Sequence, residues 1–362
     1  MAMVCFLKLE GTQISGIFTM PGAIERKSVV LCSQRVMDYF DLVVIGGGPS
    51  GLNVALSAKK AGLRYIVLEK GVLANSIYHF PTNMTFFSTS RLLEIGQVPF
   101  ISHGDKPTRR EALEYYRRLK EAWGLSVRCY EEVQSMDRQP DGHYRIRGTQ
   151  GEYLAHHVVV ATGFYDTPRL LEVPGENLPW VRHYYDDAHP YIDQRVLVVG
   201  ARNSACDAAL ELHQKGAVVS MAIRGAEIHP NVKYWIRPNI VNRIAEGSIT
   251  AYFHTMVKEI RPGEVVLEGP EGPFRIENDF VLAMTGYQPN YALLQRLGLS
   301  CSASDDQVPD HNPDTLETNL PNVYLSGVVC GGRQINKYFI ENTRDHGDII
   351  LSHIIHKQNT RA

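Results

Sequence analysis

The stretch "DLVVIGGGPSGLNVALSAKKAGLRYIVLEK", Asp41–Lys70, decides the reading of this chain. Phe40–Ile45 is apolar and β-branched, as a strand buried on both faces must be. It breaks into Gly46-x-Gly48-x-x-Gly51. A helix is expected from about Ser50 to Ala61, then a second strand over Arg64–Leu68, closing in Glu69 and Lys70. In such a βαβ unit Gly46 permits a tight turn. Gly48 lets backbone approach a pyrophosphate, and Gly51 lets the helix pack on the strand. The helix start, from Ser50 just past Pro49, offers free N–H groups and partial positive charge to phosphates. Glu69 stands where a carboxylate accepts hydrogen bonds from a ribose diol.

A related unit returns as "RVLVVGARNSACDAALELHQKGAVVSMAIRG". Val196–Val199 and Val218–Ile223 are its strands, and its helix is expected from about Ser204 to Lys215. Its loop, Gly200-Ala201-Arg202-Asn203-Ser204-Ala205, keeps the first glycine, puts Arg202 at the second and accepts Ala205 at the third. Arg224 occupies the position that Glu69 holds in the first unit. An acid there opposes a 2′-phosphate and an arginine invites one, so NADPH is expected over NADH. Lys233 and Arg237 are further basic candidates; a solvated face is their other reading. Two cradles in one chain suggest a transaction between nucleotides.

Bulk properties agree. The 362 residues suffice for two domains, and the net charge of −2 gives no footprint for nucleic acid or an acidic membrane. No apolar run approaches a membrane span. Cys5, Cys32, Cys129, Cys206, Cys301 and Cys330 are scattered, with no C-x-x-C and no zinc spacing, so no metal is expected and a reducing cytoplasm fits. Residues 1–36 hold no clear signal-peptide pattern; a poorly ordered extension is expected there, with Met37 a candidate start and an extra external element the rival reading.

Elsewhere, Arg109–Trp123 reads as an amphipathic helix capped by Thr108. Ser126–Tyr130, Tyr144–Arg147 and His156–Ala161 read as strands, with a turn at Pro140–Gly142. Thr167–Trp180 is rich in Pro and Gly, as a crossing between domains would be. Strands follow near Ile249–Phe253 and Val265–Leu267. Asp279–Pro289 ends a strand in Thr-Gly, as His156–Gly163 does. The last third returns to strand, glycine turn and a helix from about Asn336.

The Arg-Asn-Ser-Ala of the second loop, "ATG" at Ala161–Gly163 and "MTGYQP" at Met284–Pro289 resemble a thioredoxin-reductase-type flavoprotein. More narrowly, "HFPTNMTFFSTSRLLEIG", "VRHYYDDAHPY", "KYWIRPNIVNRI" and "NKYFIENTRDHG" resemble the bacillithiol-disulfide reductase family, over about Tyr39 to His356. The resemblance implies an α/β fold of two Rossmann-like domains. The FAD domain is 37–165 plus 281–362, and the NADPH domain, 166–280, is inserted in it. By that resemblance Gly46, Gly48, Pro49, Ser50, Gly51, Glu69, Lys70, Val133, Ala161, Thr162, Gly163 and Gly327 would serve FAD. Gly200, Arg202, Asn203, Ser204, Ala205, Arg224 and Gly286 would serve NADPH. It also implies a small-molecule disulfide substrate and a homo-oligomer.

The chain departs from those relatives in three ways. It lacks the C-x-x-C of thioredoxin reductases. It carries Ser50 where many bacillithiol-group members carry Cys, and serine forms no mixed disulfide. Val328 follows Gly327 where thioredoxin reductases have Asp. The thiol considered for the second half-reaction is therefore Cys330, just past Gly327, where backbone N–H groups would lower its pKa; its other reading is a small buried residue. Cys206 is expected to be structural. His79, His183 and His189 are titratable near neutrality but read better as structural, and Lys337 as a flavin or carboxylate contact or a helix-surface residue. Rival functions are a ferredoxin- or flavodoxin-NADP reductase, a flavin monooxygenase (no F-x-G-x-x-x-H stretch supports it) and a non-catalytic nucleotide sensor.

Overall fold

The computed structural model describes residues 38–334 and 336–360; the expected N-terminal extension lies outside them. Two parallel sheets organise the chain. The first strand, Asp38–Ile45, lies between Tyr65–Leu68 and the long strand Glu152–Val160, parallel to both. Leu42, Val43 and Val44 are fully buried, as the unbroken apolar run required. Val127–Arg128 extends this sheet on one side. On the other side Glu152–Val160 meets antiparallel Tyr144–Gly148 along its first half and parallel Val323–Leu325 along its second. The C-terminal chain thus returns to the first sheet.

The second sheet is wholly parallel, in the order Thr250–Phe253, Val218–Ile223, Arg195–Val199, Phe280–Ala283, Val181–Arg182. Because Phe280–Ala283 pairs with Arg195–Val199, this sheet extends beyond the boundary expected at 280. The chain crosses back only after Ala283. The outgoing and returning crossings pair with each other, Thr167 opposite Gln288 and Pro168 opposite Tyr287. Tyr165, Tyr184 and Tyr287 pack around this junction, with ring centroids 4.4–5.4 Å apart.

The helices follow their signals where caps are strong. Arg109–Trp123 has a reciprocal capping box between Thr108 and Glu111 and stops at left-handed Gly124. Besides two-residue pieces such as Val181–Arg182, three strands were not read from the sequence: Val133–Arg138, Met256–Arg261 and Gly272–Glu277. The last two flank Glu264–Gly269 in a separate antiparallel sheet. The helix Arg237–Ala245 was also missed. The helix expected from Asn336 does not form. There the Asn342 amide takes over local backbone groups, accepting from Phe339 N–H at 2.7 Å and donating to the Lys337 carbonyl at 2.9 Å. Such bonds compete with a helical ladder. The C-terminal helix starts instead at His346 and runs to Asn359.

Candidate active site between two glycine loops

Both glycine loops open into one cavity of about 2940 Å³. At the first loop, Gly46 has φ +111°, and a Cβ there would stand 2.5 Å from the Ala161 carbonyl oxygen. A Cβ on Gly51 would stand 1.9 Å from the Gly46 oxygen. These two glycines let the loop pack on itself and on the next strand. Gly48 differs: its Cβ would meet no protein atom within 4 Å, so its backbone faces open cavity. The helix that follows, Pro49–Lys60, starts with proline and has no side-chain cap. Its first N–H groups are left for a ligand, unlike those of the capped helix at Thr108.

Glu69 is buried, and both carboxylate oxygens hold the loop. One accepts from Gly47 N–H at 2.6 Å, the other from Gly71 N–H at 2.9 Å. Burial raises its pKa, and the two N–H groups oppose the rise. Each oxygen keeps a second lone pair, and Glu69 lines the cavity. Lys70 pairs with Asp166 at 2.8 Å. Val133, Ala161, Thr162 and Gly163 also line the cavity.

Two hydroxyls in this wall are buried without any partner: Thr162 Oγ1 and Ser326 Oγ. Buried polar groups are ordinarily satisfied. Orphan hydroxyls, an open Gly48 face and an uncapped helix start fit a bound dinucleotide. Ser326 was not singled out from the sequence. It precedes Gly327 as Thr162 precedes Gly163, each at the end of a strand, and that repeat was the available signal. Gly327 itself, at φ +84°, lies behind the wall; its N–H donates to His346 Nδ1 at 3.1 Å.

The second loop repeats the construction. Gly200 has φ +133°, and a Cβ there would stand 2.6 Å from the Met284 oxygen. Arg202 is the uncapped N-cap of Asn203–Gln214 and donates to Asn336 Oδ1 at 3.1 Å. Asn203 and Ser204 line the cavity, while Ala205 is buried beneath. Gly286 opens onto free space with φ +95°. Arg224 lines the cavity, is exposed, and has no partner among the described residues. Lys233 is not a solvated residue: it is buried, pairs with Asp207 at 2.9 Å and reaches the Thr85 carbonyl at 3.4 Å. Arg237 pairs with Glu227 at 3.1 Å.

The thiols sit elsewhere. Cys129, Cys206, Cys301 and Cys330 are free, and none lines the cavity. Cys330 is fully buried, and burial pushes its thiol pKa up to about 12. That is opposite to the lowering suggested by its place after Gly327, because desolvation outweighs the neighbouring backbone dipoles. Cys206 is buried in its helix as expected, its pKa also about 12. Lys337 lies in a turn of the cavity wall, over the Tyr338 ring, and not on a helix. Among the described residues no cluster of metal-ligating side chains occurs and no helix is long and apolar enough to cross a membrane.

This fold and paired site define an oxidoreductase working with a flavin and a pyridine nucleotide: the chain belongs to the pyridine nucleotide-disulphide oxidoreductase family, whose model matches residues 43–327. Within it, the chain is 41% identical over 318 residues to bacilliredoxin reductase Bdr of Bacillus subtilis (strain 168), covering 88% of this chain and 98% of that protein. The solved bacillithiol disulfide reductase Bdr (YpdA) of Staphylococcus aureus superposes with a TM-score of 0.86 at 39% identity, over 89% of this chain and 99% of its own. That of Bacillus cereus gives 0.86 at 40%, over 88% and 100%. The resemblance read from the sequence motifs is confirmed. Thioredoxin reductases share the fold alone.

Proposed function

We propose that the protein binds FAD at the first loop and NADPH at the second, and passes a hydride equivalent from NADPH through the flavin to a low-molecular-weight disulfide of the bacillithiol type. The observation that carries this reading is the single cavity walled by both loops, with unpaired Arg224 at the far strand end. The names of the relatives support the acceptor: one is called a bacilliredoxin reductase, two are called bacillithiol disulfide reductases.

Gly46, Gly48 and Gly51 would set the FAD pyrophosphate against the start of Pro49–Lys60. Glu69 would meet the ribose and Val133 the adenine. Thr162, Gly163, Ser326 and the Gly327 turn would border the ring. Bound there, the flavin supplies the two-electron chemistry. Gly200, Asn203 and Ser204 would hold the NADPH pyrophosphate, Arg224 its 2′-phosphate, and Gly286 would leave room for the nicotinamide. The side chains need move no proton in the first half-reaction; they orient the two rings and exclude water. Among the described residues neither Ser50 nor any of the four thiols supplies a sulfur nucleophile to the cavity, so the disulfide would meet the flavin without one of those thiols between them. The proposed domains are 37–165 with the C-terminal segment, and 166 to the return crossing after Ala283. A reducing, cytoplasmic setting fits the free thiols.

The test is stopped-flow reoxidation of the NADPH-reduced protein under nitrogen, with bacillithiol disulfide, an oxidised bacilliredoxin, ferredoxin and oxygen in parallel. Bacillithiol disulfide should be the fastest acceptor. Faster turnover with ferredoxin would replace the disulfide reading by the ferredoxin reductase one.

A further inference from the structure

Three arginines line the cavity wall where the two halves of the molecule join. Arg169 follows the outgoing crossing, Arg202 sits in the second glycine loop, and Arg333 follows the Gly327–Gly331 turn. Arg169 Nη2 donates to the Arg333 carbonyl at 3.0 Å, and its backbone N–H to the Gly286 carbonyl at 2.9 Å. Arg333 spends two of its donors on neutral oxygens, Gln288 Oε1 at 3.0 Å and the Asp305 carbonyl at 3.3 Å, and lies over the Tyr291 ring. Arg202 donates to neutral Asn336.

None of the three has a carboxylate partner among the described ion pairs. Asp306, whose charge acts on Arg169, makes no ion pair with any of them; its Oδ2 accepts from Gln334 Nε2 at 2.6 Å. Arg169 Nε is buried and has no partner at all. A partly buried guanidinium beside other arginines, with one carboxylate in range for three cations, is an unfavourable arrangement that an added anion relieves. Desolvation first, and then Arg333 and Arg202, lower the Arg169 pKa, as that crowding requires. Arg224 and the uncapped start of Asn203–Gln214 already account for the dinucleotide's 2′-phosphate and one face of its pyrophosphate under the reading above.

We propose that Arg169 and Arg333, with Arg202 beside them, form an anion-binding station for a carboxylate or phosphate group of a ligand that enters the shared cavity. Planar, forked donors converging from two separate chain segments suit such oxyanions. Since Arg333 and Asn336 come from the C-terminal segment and Arg202 from the second loop, an anion here also ties the two halves together. The station goes beyond the hydride-transfer reading and does not need turnover to be seen.

The test is calorimetric titration of the flavin-loaded, full-length protein with citrate, with inorganic pyrophosphate and with NADP+, at low and high salt. Arg169→Gln and Arg333→Gln are compared with wild type and with Arg118→Gln, a distant surface control. Arg169→Gln removes a positive charge crowded by Arg333 and Arg202, and its ligand-free melting temperature should stay close to that of wild type. Each Gln variant should weaken citrate or pyrophosphate by about tenfold or more, and high salt should erase the difference. Loss of NADP+ affinity as well would assign the anion to the dinucleotide. Unchanged NADP+ affinity with weakened citrate would assign it to a separate carboxylate-bearing substrate. Equal citrate, pyrophosphate and NADP+ affinities in all four proteins would overturn the station, whether or not NADPH reduces the flavin. If Arg169→Gln fails to fold, Arg333→Gln alone decides.

Discussion

The Ser50 hydroxyl occupies the space that a side chain at Gly327 would need: a Cβ there would stand 2.1 Å from Ser50 Oγ. The start of the first helix and the C-terminal turn are thereby locked together at the edge of the proposed flavin site. Gly327 also holds φ +84°, which favours glycine. Gly327→Ala should cost about 1–3 kcal/mol. It should also lower the flavin content of the purified protein. Adding Ser50→Gly should recover the part due to the clash and not the part due to φ. Melting curves and flavin-to-protein ratios of both variants check this.

Arg224 stands alone at the end of Val218–Ile223. If it receives the 2′-phosphate, Arg224→Gln should raise KM for NADPH by about ten- to a hundredfold and leave KM for NADH nearly unchanged, since a charged hydrogen bond contributes about 1.5–3 kcal/mol. Steady-state kinetics with both nucleotides reads the ratio directly. Parallel changes in the two constants would remove Arg224 from the site.

Cys330 is buried, with its thiol pKa at about 12, and lies outside the cavity. Cys330→Ala should therefore keep full disulfide reductase turnover and lose roughly 1 kcal/mol of stability through the small void it leaves. Turnover abolished while NADPH still reduces the flavin would instead give the thiol a chemical role.

Acid should destabilise the fold through His157. This ring is buried, lies 3.1 Å from the Asp41 carbonyl through Nδ1, and has its pKa lowered to about 4, by desolvation and then by His156. Above the unfolded-state value near 6.5 both states are neutral. As pH falls from there toward 4, only the unfolded chain takes up the proton, so stability falls, by about 3 kcal/mol in total from this group. Below 4 both states are protonated and the loss levels off. Melting temperature followed from pH 7 to pH 5 should drop in wild type and drop less in His157→Gln.

Sequence alone revealed what depends on local rules. The two βαβ units show because "FDLVVI" and "RVLVV" are apolar and the glycines beside them have steric duties. Gly46, Gly51 and Gly200 carry out those duties against Ala161, Gly46 and Met284. The antiparallel strands Met256–Arg261 and Gly272–Glu277 were hidden because they are half exposed and rich in charge. The missing helix after Asn336 turned on one side chain, Asn342, whose bonds no periodicity announces. Of the two readings left open for Cys330 the structure has the small buried residue, since proximity to a glycine turn says nothing about burial. The Arg169–Arg333 approach joins residues 164 apart in sequence, and Lys233 is buried by contact with distant Thr85. Only the fold brings such groups together.

A hydride passing between the two cradles is the central event of the proposed reaction. The most direct measurement is anaerobic titration of the purified protein with NADPH, followed in the visible flavin band. Tightly held FAD bleached by stoichiometric NADPH, and much less readily by NADH, is the expected result. A protein that takes up no flavin, or one whose bound flavin stays oxidised in excess NADPH, would contradict it.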